Sequence, residues 1–147
     1  MADWQGIRQA IATQMGTASS VVESSADEAQ GVGSVPTVRV THVDALEIDN
    51  EGGGRGSSFE ARRATIKGVL LVDQSGAVAP SLAVVDDVVE DLFAAARSGL
   101  KLGYATVVRD SWLERAEVGM VTFGGVEWVG AELTWMVEVR EAVTRTA

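Results

Sequence analysis

The chain of 147 residues has no cysteine, a single histidine, and only twelve basic residues against twenty-one acidic ones. Each shortage removes a class of chemistry. Without cysteine there is no disulfide and no thiolate metal site, which fits a reducing compartment. A net charge of −9 argues against a nucleic-acid binder, general or sequence-specific, because phosphate binding needs clustered positive surface. No apolar run approaches the ~20 residues of a membrane span. The opening Met-Ala-Asp-Trp-Gln-Gly lacks the basic start and apolar region of a secretion signal. The expectation is a protein made in a cytoplasm and bound to no membrane. His42 stands without the Gly-x-Ser-x-Gly elbow or the His-Glu-x-x-His pair that would give it a catalytic or metal-binding setting. No catalytic residue, cofactor or metal ligand is therefore assigned, and the chain is read as a non-enzyme.

What is present is long enough for one domain over residues 1–147 with a real core. The clearest element is an amphipathic helix in the stretch 59–99. Leu82, Val85, Val88, Val89, Leu92, Phe93 and Ala96 recur at spacings of three and four, which gathers them on an arc of roughly 140°. Asp86, Asp87, Glu90 and Asp91 fall off that stripe. Their i,i+4 spacing admits a Mg²⁺ or Ca²⁺ site, but a solvated face is the preferred reading. Pro80 and Ser81 suit the first turn, Arg97 the negative end of the dipole, and Gly99 the position after the helix. A first helix is expected over residues 3–16, with Asp3 as N-cap and Trp4, Ile7, Ile11 and Met15 as its apolar positions.

Residues 17–34 are rich in Ser, Ala, Gly and acids and read as a flexible connection. A strand follows Pro36 and fades through Val43, Leu46 and Ile48 into Gly52-Gly-Gly-Arg-Gly56. That glycine run lacks the Lys-Ser/Thr ending of a phosphate loop, so residues 44–60 read as a protruding β-hairpin arm. The return strand places Ala64, Ile66, Gly68, Leu70 and Val72 on one face and becomes apolar on both. After the helix, 104–109 reads as a short strand and 110–117 as a charged segment. Val118–Phe123, Gly124-Gly125 and a long strand form a hairpin. Val129, Ala131, Leu133, Trp135, Val137 and Val139 share one face of its second arm. The order α-β-β-α-β-β predicts an α+β fold, with a mainly antiparallel sheet and two helices packed on one face.

Arg62, Arg63 and Lys67, with Arg55 on the arm, form the one dense basic cluster. Two readings stay open for it: pairing with Asp44, Glu47 and Asp49 of the neighbouring strand, or contact with an acidic partner or another copy of the chain. Trp112 and Trp128 lie off the evident core faces, as exposed interface aromatics would.

The first helix, the strand Val35-Pro-Thr-Val-Arg-Val40, the glycine-rich arm, the return strand Arg62–Val72 and the amphipathic helix together resemble the tail terminator proteins of long-tailed bacteriophages. The Cys-free, Gly/Ser-rich and Val/Ala/Asp-heavy composition also resembles that of phages of high-GC hosts. The resemblance implies a homo-hexameric ring that caps the finished tail tube and joins it to the head–tail connector. Its implied partners are the tail tube protein, the connector and copies of itself. Its implied location is the neck end of the virion tail, after synthesis in the host cytoplasm. The family has no catalytic residues to carry over. Competing classes are another phage neck or tail-tube subunit, a ferredoxin-like module that binds a small molecule, and a small enzyme using Asp and Arg.

Overall fold

The computed structural model describes residues 3–26, 32, 34–48, 59–74, 78–97 and 108–142. Among them, α1 (Trp4–Met15) opens the fold. The Asp3 carboxylate accepts from Gly6 N at 3.0 Å, satisfying one of the free amides of the first turn. Ile7, Ile11, Ala12 and Met15 are buried, as their spacing requires.

A short strand, β1 (Glu23–Ser25), then runs parallel to β2 (Thr37–Ile48). This replaces the flexible connection expected over 17–34 with a strand at Glu23–Ser25, residues 27–31 and 33 lying outside the described ones, and it changes the element order to α-β-β-β-α-β-β. Glu-Ser-Ser has no apolar alternation to betray a strand. Polar bonds hold it instead: Ser24 Oγ donates to Ala12 O at 2.6 Å, and Val22 N donates to Pro36 O at 2.9 Å. Ala18 and Ala26 are buried on either side of it.

β2 pairs with β3 (Phe59–Asp73), and β3 pairs with β5 (Val126–Ala142), both antiparallel. β4 (Val108–Phe123) joins β5 through a turn in which Gly124 and Gly125 take φ of +62° and +77°, where glycine is favoured. The sheet order is β1-β2-β3-β5-β4, mainly antiparallel. The separate short strand and charged segment expected over 104–117 are, within the described residues, the start of one sixteen-residue strand. Register shifts between Val108 and Asp110 and between Leu113 and Arg115 break its period-two pattern, which hid it in the sequence.

α2 (Val78–Arg97) packs beside α1 on the sheet face formed by Ala64, Ile66, Leu70, Val129, Ala131, Leu133, Trp135, Val137 and Val139. Of its expected stripe Val85, Val88, Val89, Leu92 and Ala96 are buried, with Ala95 added, and Leu82 and Phe93 are half-buried, while Asp86, Asp87 and Glu90 are exposed. Gln14 ties the two helices together: its Nε2 donates to Ala95 O at 2.8 Å and Ala96 O at 3.1 Å, carbonyls near the end of α2. Gly99 lies outside the described residues. A second, smaller core of Leu71, Val121 and Trp128, with Val69 and Phe123, sits on the opposite sheet face, so β3 is covered on both sides at this end. Among the described residues no helix is long and apolar enough to cross a membrane.

Candidate interaction surface

The basic cluster is divided by the strand it lies on. Neighbouring residues of a strand face opposite ways, so Arg62 and Arg63 cannot act on one surface. Arg62 lies opposite Val139, on the helix side. Arg63 and Lys67 lie on the other side, and both are engaged with β5. Arg63 Nη2 is 2.9 Å from Glu138 Oε1, and Lys67 Nζ donates to Thr134 Oγ1 at 2.8 Å. Glu47 is level with Arg63 on β2, and on the other flank Arg63 is ion-paired with Glu138 of β5. Arg55 and Asp49 lie outside the described residues.

The tryptophans also part company. Trp128 is only 9% exposed, which corrects the expectation of an exposed aromatic. It packs with Leu71 and Val121 in the second core, a cluster that helix and strand periodicity could not reveal because it lies on the nominally polar side. Trp112 is half-buried on the edge strand, with its indole N–H donating to the Glu114 carboxylate. It lines a groove of about 600 Å³ between α2 and β4, together with Phe93, Ala96, Arg97, Asp110, Ser111 and Leu113.

Arg39 is the one buried cation among the described residues. Its Nη2 bonds Glu23 Oε1 at 2.9 Å, and its guanidinium carbon lies 5.9 Å from the centroid of the Phe123 ring. One side chain thus fastens β1 to β2 and caps the second core by a cation–π contact. His42 is exposed, with Nδ1 2.9 Å from Thr41 Oγ1 and Nε2 3.5 Å from Asp44 Oδ1. Among the described residues no group of three or more His, Asp or Glu side chains is placed to hold a metal ion.

The surface that does stand out is apolar and lies on the part of β2 beyond β1 and on the edge strand β4. Leu46 is 49% exposed, Ile48 63%, Val118 41% and Met120 50%. Leu46 is level with core residue Ala64, and Ile48 with Arg62, at the far end of β2. Val118 and Met120 are level with core residues Ala131 and Val129, in the second half of β4. All four therefore sit on the helix side of the sheet, where the helices no longer cover it. Only their exposure, a tertiary property, marks them out.

No family model matches the sequence, and no curated protein matches it.

Proposed function

We propose that this chain is a structural subunit of a phage tail, assembling as a ring of six copies that caps the tail tube and meets the head connector. The carrying observation is that the far end of β2 runs on beyond the cover of the helices, although Val139 of β5, level with Arg62 and Ile48, is buried in the main core. Ile48 is paired with Arg62, and Phe59 with Ala142, while Leu46 and Ile48 remain exposed on the helix side. An apolar sheet end that the subunit's own helices leave open is stabilised by burial against another surface. On this reading the arm, residues 44–60, extends that end toward the tube or the next copy. The acidic balance keeps free subunits apart until a template presents itself.

The test is genetic complementation in a phage whose copy of this gene is disabled. Supplying the intact protein restores infectious particles. Its absence leaves filled heads and separate tails, or tubes of uncontrolled length, in electron micrographs. Normal particles formed without the protein would end the proposal.

A further inference from the structure

We infer that copies of this chain join head to tail through their sheet edges, the far end of β2 from one copy lying along the second half of β4 from the next. β1 covers only Thr37–Arg39 of β2, so among the described residues the outer side of Thr41–Ile48 has no strand beside it. The two register shifts of β2 end at Ala45, which leaves Ala45–Ile48, with the single charge of Glu47, as its regular open edge. β4 is the opposite edge and is likewise unpaired on its outer side. Open edges present rows of backbone donors and acceptors that a further strand completes.

Three features identify that strand as belonging to a second copy. The first is polarity. β2 is antiparallel to β3, β3 to β5, and β5 to β4, so β2 and β4 run in opposite directions. A copy placed beside the first with its helices on the same side therefore offers β4 antiparallel to β2. Because Leu46 is level with Ala64 whereas Val118, through Ala131, is level with Leu70, that copy must also slide along the strands until its β1 end is level with the first copy's far β2 end.

The second is the apolar strips. Leu46 and Ile48 on one edge, and Val118 and Met120 on the other, are exposed on the same side of the sheet. Head-to-tail pairing with that slide brings them together, whereas a two-fold pairing of like edges joins each strip only to itself.

The third is the distribution of protection along β4. Its first half carries both register shifts and the charges of Arg109, Asp110, Glu114, Arg115 and Glu117, devices that discourage a neighbouring strand. Val118–Phe123 carries no charge and no register shift, and it holds the apolar strip. A head-to-tail contact between unlike edges gives either a closed ring or an open filament. Closure rests on the ring reading; the edge pairing stands apart from it.

The cysteine-free sequence makes a clean test. Full-length L46C and I48C variants are each mixed with V118C or M120C and oxidised, and the products are resolved on non-reducing gels. Directly opposed positions of an antiparallel pair lie within disulfide reach. The expected result is a two-chain product in at least one mixture and none from any variant oxidised alone, with a ladder from the matching double variant. Dimers from a single variant, or no mixed product from protein that light scattering shows to be oligomeric, overturn the edge pairing. In the second case a mass of six subunits would leave the ring reading intact. Mixed disulfides in an open-ended polymer would keep the edge pairing and remove the ring. A protein that stays monomeric and never cross-links would remove both.

Discussion

Gly130 offers a sharp check on the register of the sheet. It lies on β5 between Leu71 of β3 and Gly119 of β4, beside the register shift that separates Leu71 from Asp73. A methyl group added there would come within 1.8 Å of Leu70 O, 2.9 Å of Leu70 C and 3.3 Å of Leu71 Cα. Every one of these is a backbone atom, so no side chain can swing aside and the strands themselves must separate. Overpacking of a core costs about 1–3 kcal/mol and occasionally more, and a backbone clash this close belongs at the upper end. Replacing glycine by alanine in a strand restricts the unfolded chain and returns only about 0.4–1 kcal/mol. Gly130→Ala should therefore lose about 2–3 kcal/mol, a fall in melting temperature of roughly 6–15 °C for a domain of this size. Gly125→Ala serves as comparison. It has no atom within 4 Å of the new methyl but a φ of +77°, so its cost is conformational alone, about 1–2 kcal/mol. Thermal unfolding followed by circular dichroism reads both. A Gly130→Ala protein as stable as the parent would show that β3 and β5 are not in this register.

Val89→Asp puts a carboxylate into the buried side of α2 and should cost several kcal/mol, whereas exposed Asp87→Ala should be neutral or slightly stabilising; equal melting temperatures would place the helix the wrong way round. His42→Ala removes an exposed ring with no buried partner, so stability should stay within about 0.5 kcal/mol and complementation should be intact; loss of either would give His42 a role that its geometry does not suggest. Replacing residues 49–58 by Asn-Gly should leave a folded subunit with its melting temperature shifted by a few degrees at most, because loop closure changes slowly with length. In the same variant, heads and tails should fail to join; normal particles would take the arm out of the mechanism, and an unfolded subunit would put it in the core.

Where side-chain burial follows one period without interruption, the sequence spoke plainly. The alternation of β5 from Val129 to Val139 is buried as its spacing demands, and so is the centre of the α2 stripe from Val85 to Leu92. The reading faltered wherever another force replaced burial. β1 is held by backbone pairing and by the Arg39–Glu23 ion pair, so its three polar residues carried no pattern. β4 is an edge strand whose charges and bulges imitate a loop. Trp128 lies off the apolar face that alternation marks on β5, a position that by itself implies exposure. A second core beneath Arg39 and Phe123 makes that end dry. The candidate surface was the least legible part. Leu46 and Ile48 share the helix side of β2 with the buried Val38 and Val40, but two register shifts between them break the alternation, and exposure at the far end follows from where the helices stop rather than from any pattern. The basic cluster failed for a simpler reason: adjacency in a strand sends Arg62 and Arg63 to opposite faces.

The ring itself is tested most directly by the native mass of the purified full-length protein across a concentration series, measured alone and with tail tubes. The account predicts a discrete species of six copies, formed in solution or on the tube end, that appears as a closed ring in negative stain. A species that remains a monomer or a dimer at every concentration, with and without tubes, would contradict it.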